Sequence, residues 1–294
     1  MMLPLHQAVE MEAARGHRFN WGKIRRVMLY AVLIAIALAQ LFPLLWLLDF
    51  SLLKSGDLFG ADFLKWPSPP QWVNYAKAWR DGMIPTLLMN SLIVVGFACL
   101  VAVSFSFLIA YACTRMEWRL SQVVLGLVML GMMIPIHATL LPNFQLFSRL
   151  GILDTYFALI IPYAAFQIPF NTLIFSGFLK TIPRALEESA LMDGCSIWGA
   201  MFRIVAPITK PALITVTVMT FIGNWNEVVM SYIFISSDQL RTLPYSVLKF
   251  VGYYSADYAV QFACMALVAL PILVVYAFLN KYITDGATMG AIKG

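Results

Sequence analysis

The chain has 294 residues, of which 61% are hydrophobic and only 12% are charged, about half the charged fraction of an average soluble domain. The formal net charge is +5, and the charged residues cluster between long apolar runs. This composition excludes an ordinary soluble domain and argues against a role in nucleic-acid binding.

Six apolar runs approach or exceed the roughly 20 residues that an α-helix needs to cross a bilayer. They are residues 27–50, 85–112, 121–141, 156–179, 212–235 and 260–280. The first run is too long for a secretory signal and lacks a small-residue cleavage pattern, so we expect it to stay in the mature chain. The sequence therefore predicts an all-α membrane protein with six transmembrane helices, forming a single domain over residues 1–294.

The basic residues indicate an orientation for these spans. Most of the 20 lysines and arginines lie before the first run, between the second and third, between the fourth and fifth, and after the sixth. Basic residues are enriched in cytoplasmic connections, so we expect cytoplasmic tails at residues 1–26 and 282–294 and a place in a bacterial cytoplasmic (inner) membrane.

Polar side chains within predicted spans are costly in hydrocarbon and tend to face a cavity or a neighbouring helix. Gln167 and Asn171 are four residues apart and share one face of the fourth span. Asn224, Asn226 and Glu227 lie in the fifth span, beyond the membrane midplane and toward the outside. These five residues are candidates for a translocation path, and simple packing against another helix is the alternative.

The chain shows no catalytic equipment. Its four cysteines have no paired spacing for zinc or a redox motif and are interpreted as small packing residues. The sequence contains no nucleophile and base arrangement, no glycine-rich phosphate loop and no cluster of metal ligands. We expect neither enzyme activity nor a bound metal or cofactor in this chain.

Residues 180–211 form a polar segment with a regular local pattern. Helix-forming residues from Arg184 to Met192 precede a glycine, and a second short helix is expected to end near Arg203. Five residues supply the start, turn, cap and stop signals: Pro183, Gly194, Ser196, Pro207 and Pro211. The polar segment should therefore fold as a compact two-helix unit held against the membrane.

The motif inside the polar segment resembles the EAA loop of the membrane subunits of ATP-binding-cassette importers. Ser189 stands where the family has its middle alanine, and Ala206 stands where it has a leucine before the proline. In that family the loop docks into a cleft of the ATP-binding subunit. The resemblance implies that the ATPase-coupling residues are Glu188, Ser189, Ala190, Asp193, Gly194, Ile204 and Pro207.

Further motifs narrow the resemblance to carbohydrate-importer permeases related to the second, six-span membrane subunit of the maltose transporter. They are MMIP at 132–135, LLPNF at 140–144, WNE at 225–227 and the ending GATMGAIKG. The resemblance implies a type I importer permease fold and binding-protein-dependent import of a sugar or oligosaccharide. It also implies an ATPase-contacting tail that includes Gly286, Gly290, Lys293 and Gly294.

By the same resemblance, the partners would be a homologous second permease subunit, two ATPase subunits that bind ATP and Mg, and an extracytoplasmic solute-binding protein. The aromatic connection after the fifth span makes Tyr253 and Tyr254 candidate contacts for that binding protein. One rival is an ion- or proton-coupled secondary transporter that uses Glu227. A membrane enzyme is a second rival, and the lack of a reactive constellation argues against it.

Overall fold

The computed structural model of the protein describes residues 21–58, 66–252 and 256–291, with side chains as far as Phe278. Its regular elements over these ranges are helices, and one antiparallel bridge pairs Val251 with Ala256. The chain divides after Asp49 into two compact units. The predicted all-α membrane architecture is confirmed.

The described part of the first unit is helical. Helix α1 covers Trp21–Ser51, and its most apolar stretch has a mean hydropathy of 2.4 with no residue buried. A helix that is apolar on all sides, without a polar face, suits contact with lipid. The first predicted span, 27–50, lies within α1.

The second unit contains ten further α-helices of four residues or more among its described residues. They are α2 (Val73–Asp81), α3 (Ile84–Thr114), α4 (Ser121–Leu130), α5 (Leu140–Leu150), α6 (Phe157–Leu179), α7 (Ala185–Met192), α8 (Ile197–Ala200), α9 (Lys210–Trp225), α10 (Val229–Phe234) and α11 (Tyr258–Ala291). Four helices in the described chain, α1, α3, α6 and α11, are long and apolar enough to cross a membrane, and the number is six if each of two bent helix pairs counts as one span.

The two long helices α3 and α6 pack closely on each other. Phe107 and Phe175 meet edge to face, with ring centroids 5.6 Å apart. Both belong to a buried apolar cluster that continues through Met201 and Val205 of the polar segment to Val216 of α9. The core at this end of the bundle is therefore shared between spans and the polar segment.

The third predicted span, residues 121–141, is wrong as a single helix. Two helical segments, Ser121–Met133 and Ile136–Leu150, meet at an angle of 91°. Ile134 between them is extended, with φ −81° and ψ 115°, the conformation that a following proline favours. The bend thus follows from Pro135, which holds Ile134 out of the helical conformation.

The fifth predicted span, residues 212–235, is also wrong as a continuous helix. Helix α9 ends at Trp225 and α10 begins at Val229. Glu227, in the break, accepts hydrogen bonds through Oε1 from the backbone N–H groups of Val229 at 2.9 Å and Met230 at 3.1 Å. A carboxylate that satisfies the free N–H groups of a new helix favours two helices over one.

The last helix extends beyond the sixth predicted span. Its apolar part covers Tyr258–Phe278 with a mean hydropathy of 2.3, and the backbone stays helical to Ala291. Residues 282–291 of the expected tail therefore continue α11, and residues 292–294 lie outside the described chain.

Candidate functional site

The polar segment begins with the predicted helix and turn. Helix α7 covers Ala185–Met192, and Gly194 after it has φ +84°. A residue with a Cβ rarely adopts this left-handed conformation, whereas glycine does so at little cost. Ser196 Oγ then accepts a hydrogen bond from the Gly199 N–H at 3.1 Å, so the predicted cap of the second helix is confirmed.

The second half of the polar segment is longer than predicted. After α8 the chain forms a π-helical turn, Met201–Val205, and then a helical turn to Ile208. The Ala206 N–H bonds to the Met201 carbonyl oxygen, five residues back, and Pro207 follows without needing a donor of its own. The helical path therefore continues past Arg203 and bends by 76° into α9 at Thr209.

The predicted coupling residues are distributed over a largely exposed surface of this unit. Glu188, Ser189, Asp193, Gly194 and Pro207 are exposed. Two members of the set are less accessible: Ile204 is half-buried and Ala190 is buried.

Large apolar side chains stand among these polar groups. Met192 is 88% exposed, and Trp198, 65% exposed, stacks on Phe202 with ring centroids 6.3 Å apart. Exposed aromatic and methionine side chains ringed by polar residues are typical of a protein-docking surface. The polar segment therefore has the chemistry of a docking unit.

A buried ion pair beneath this surface was missed at the sequence level. Arg115, at the C-terminal end of α3, donates from Nε to Glu187 Oε2 of α7 at 2.7 Å and from Nη2 to the same oxygen. A nearby pair, Arg184 with Glu117, is exposed. The sequence gave little indication of this pair. Arg115 is one of several basic residues that flank the second predicted span, and Glu187 only precedes the motif residue Glu188. A cavity of about 300 Å³ adjoins both pairs.

Two of the path candidates on α6 meet α9 through hydrogen bonds. Asn171 Nδ2 donates to Thr220 Oγ1 at 2.9 Å, and neither residue has exposed surface. Gln167 Nε2 lies 3.5 Å from Asn224 Oδ1. Gly223 permits that approach, since a Cβ there would stand 2.9 Å from the Gln167 amide nitrogen. Asn171 and Asn224 therefore lie at the interface between α6 and α9.

Glu227 closes the same interface at the start of α10. Its Oε2 accepts a hydrogen bond from the Tyr163 hydroxyl of α6 at 2.9 Å, and His137 Nε2 stands 4.0 Å from its Oε1. Tyr163, Gln167 and Asn171 follow one another at four-residue intervals on α6. Their contacts with Glu227, Asn224 and Thr220 form three successive rungs, which we call the polar ladder. By contrast, Asn226 is exposed, and its amide bonds to the Ile222 carbonyl oxygen of its own helix.

The remaining candidates are only partly described. Gly286 and Gly290 lie on the helical backbone of α11. Tyr253, Tyr254, Lys293 and Gly294 lie outside the described residues. Within the described ranges, no group of three or more histidine, cysteine, aspartate or glutamate side chains could hold a metal ion.

The spans, the two broken helices and the exposed helical unit together define a polytopic membrane protein. A family model described as "Binding-protein-dependent transport system inner membrane component" matches residues 102–288. The chain belongs to this family, a transporter permease family, and the resemblance inferred from the polar segment is confirmed.

Curated relatives align over most of the chain. "Probable ABC transporter permease protein YurM" of Bacillus subtilis (strain 168) is 35% identical over 91% of this chain and 87% of its own length. "Sulfoquinovosyl glycerol transport system permease protein SmoH" of Agrobacterium fabrum is 30% identical over 86% of this chain and 89% of its own. "Trehalose/maltose transport system permease protein MalG" of Thermococcus litoralis is 28% identical over 92% and 98%.

A solved structure shares the fold. It is a chain of a bacterial ABC transporter involved in the import of the acidic polysaccharide alginate, with a TM-score of 0.77, 22% identity, and coverage of 90% of this chain and 98% of that chain. The importer-permease fold expected from the resemblance is therefore confirmed. The secondary-transporter rival is not favoured.

Proposed function

We propose that this chain is one transmembrane subunit of an ATP-driven, binding-protein-dependent importer of a sugar or oligosaccharide. The names of several relatives support this substrate class. They include permeases for arabinooligosaccharides, for melibiose, raffinose and stachyose, and for trehalose. We expect neutral oligosaccharides to be the substrates. An acidic saccharide is a second substrate class to test, because two similar proteins are named for sulfoquinovosyl glycerol and for alginate.

The single observation that carries the coupling role is the exposed surface of the polar segment. Helix α7 presents Glu188 and Met192 to solvent, and α8 presents Trp198. A charged and aromatic surface on a short two-helix unit suits a cleft on another protein better than an apolar bilayer. Its occupant in the proposed complex is a cytoplasmic ATPase subunit, which binds ATP and Mg and supplies the free energy.

The rest of the assembly follows from the same proposal. A homologous second permease completes the translocation path, two ATPase subunits dock on the cytoplasmic side, and an extracytoplasmic binding protein delivers the saccharide. Both termini then face the cytoplasm of a bacterial cell. Gly286 and Gly290, with Lys293 and Gly294, would contact the ATPase pair, while Tyr253 and Tyr254 would contact the binding protein.

Uptake into proteoliposomes tests this function. The chain, its partner permease and the cognate ATPase are reconstituted, and labelled neutral and acidic oligosaccharides are offered with the solute-binding protein. We expect uptake that requires both ATP inside and liganded binding protein outside. Matched vesicles that carry an ATPase unable to hydrolyse ATP should take up nothing.

The rival mechanism predicts the opposite pattern. A secondary transporter would accumulate sugar in response to a proton or sodium gradient in vesicles that contain only the membrane subunits. Uptake under that condition, unchanged by removal of the ATPase, would refute the proposed function.

A further inference from the structure

Helix α7 has little apolar attachment to the bundle. Within α7, which the structure describes completely, the buried side chains are those of Glu187 and Ala190. An eight-residue helix has marginal stability in isolation and normally depends on tertiary packing. One alanine provides little such packing, so the position of α7 depends mainly on what holds Glu187.

Arg115 holds it in a buried position. The exposed fraction of the Arg115 side chain is 4% and that of Glu187 is 11%. The same guanidinium donates from Nη1 to the backbone carbonyl oxygens of Leu179 at 3.2 Å and Ile182 at 2.9 Å. Leu179 ends α6, and Ile182 lies in the turn between α6 and α7. One side chain thus joins the ends of α3, α6 and α7.

The arrangement also agrees with the dipoles of the helices. The last carbonyl groups of α6 have no partners within their own helix and favour a cation, while the first turn of α7 favours an anion. The planar guanidinium can donate to the carboxylate and to the carbonyl oxygens at the same time, which an ammonium group cannot do with the same geometry. By contrast, the adjacent pair between Arg184 and Glu117 has side chains 53% and 83% exposed and should contribute little.

We propose that Arg115 is a positioning residue for ATP-driven transport. Through Glu187 and the carbonyl groups at the end of α6, it fixes α7 to α3 and α6, so that a displacement of α7 moves these two helices. The proposal rests on the docking of the polar segment to an ATPase. It assigns the transmission of that displacement to a pair outside the docking surface.

The test compares Arg115→Lys and Glu187→Gln with the control Glu117→Gln, which alters the exposed pair nearby. Three quantities are measured in the purified complex in proteoliposomes: the ATPase retained by the permease, the ATPase activity stimulated by liganded binding protein, and the oligosaccharide imported per ATP hydrolysed. Hydrogen exchange of residues 185–192 reports directly on the attachment of α7.

We expect Arg115→Lys and Glu187→Gln to retain the ATPase and to import at least about fivefold less saccharide per ATP, the lower end of typical coupling factors between linked sites. Amide exchange should accelerate in α7 while that of the central parts of α3 and α6 stays unchanged. The control Glu117→Gln should match the unmodified chain in all measurements. A purely structural role would instead lower the amount of assembled complex and leave import per ATP unaltered.

Two results would overturn the proposal. One is unchanged import per ATP in both variants. The other is that neither variant protein is found in the membrane, because a general contribution to stability would then explain the ion pair. If Arg115→Lys alone does not assemble, Glu187→Gln decides, because it keeps the shape of the side chain. Failure of the unmodified chain to retain any ATPase would refute the proposed function itself, so the two failures are distinguishable.

Discussion

Removing the carboxylate of Glu227 should loosen the break between α9 and α10 without abolishing transport. The side chain accepts hydrogen bonds from two backbone N–H groups of α10 and from the buried Tyr163 hydroxyl. Loss of a helix N-terminal cap costs about 1 kcal/mol, and an interhelical hydrogen bond in a membrane protein contributes about 0.6 to 1.7 kcal/mol. We therefore expect Glu227→Ala to destabilise the subunit by about 2–3 kcal/mol.

Glu227→Gln should lose less, about 1 kcal/mol, because an amide oxygen can still accept from the α10 backbone and a neutral acceptor is weaker than a charged one. Denaturant unfolding of the detergent-solubilised complex measures both changes. Asn226→Ala is the matched control, since the Asn226 amide bonds only to the Ile222 carbonyl among its described contacts. Its effect should stay within about 0.5 kcal/mol, as for an ordinary surface substitution.

The transport assay distinguishes a proton-coupling role of Glu227 from a structural one. A proton-coupling acid is indispensable, whereas a capping and packing acid tolerates replacement by the isosteric amide. We expect Glu227→Gln to retain ATP-dependent uptake. Complete loss of uptake in a stably assembled complex, or equal destabilisation by Gln and Ala, would refute the reasoning. A double-mutant cycle with Tyr163→Phe would then show whether their hydrogen bond matters at all.

Three further predictions concern the polar segment, the loop at residues 235–241 and the C-terminal tail at residues 282–294. Glu188→Lys, and separately Gly194→Trp at its positive φ, should leave the permease in the membrane but abolish ATPase co-purification and uptake; normal values in both would refute the docking assignment. The Ser237 hydroxyl and backbone N–H groups lower the pKa of Asp154 below 3.8. The Asp154 carboxylate should therefore stabilise the 235–241 loop above pH 3.8, and this stabilisation should disappear as the pH falls through the lowered pKa. Proteolysis of the loop at different pH values measures the effect, with Asp154→Asn as the pH-insensitive control. Deleting 287–294 should preserve membrane insertion and reduce ATPase stimulation by liganded binding protein, and full stimulation would show that the tail is dispensable.

Hydropathy predicted the unbroken spans well and the broken ones poorly. The run 85–112 lies within α3, and the run 156–179 starts one residue before α6 and ends with it. Both helices are continuous and predominantly apolar, which is the pattern that hydropathy detects. The breaks are local: Pro135 is itself apolar in such a window, and a single acid, Glu227, barely lowers the average. The extended backbone before Pro135 ends one helix, and the hydrogen bonds from the α10 backbone to Glu227 mark the other break. Average composition reports neither effect.

The polar segment shows the same division between local and distant information. Gly194 and Ser196 act on residues within a few positions, so their turn and cap could be predicted from the sequence. Arg115 and Glu187 are 72 residues apart, and no pattern along the chain pairs them. Only the packing of α3 against α6 brings the end of one beside the end of the other.

The polar ladder indicates which helices are expected to move together. Sequence spacing placed Gln167 and Asn171 on one face of α6, but their partners on α9 run antiparallel and could not be found without the fold. Separating Asn171 from Thr220 would leave buried polar groups without partners, at a cost of about 1–3 kcal/mol for each unsatisfied group. A transporter opens its path alternately to the two sides of the membrane, and it avoids that cost if α6 and α9 move as one rigid body. The path would then open at surfaces that this subunit leaves exposed. Because Arg115 ties α7 to the same body, a displacement of the polar segment would then reach both helices without breaking a single rung.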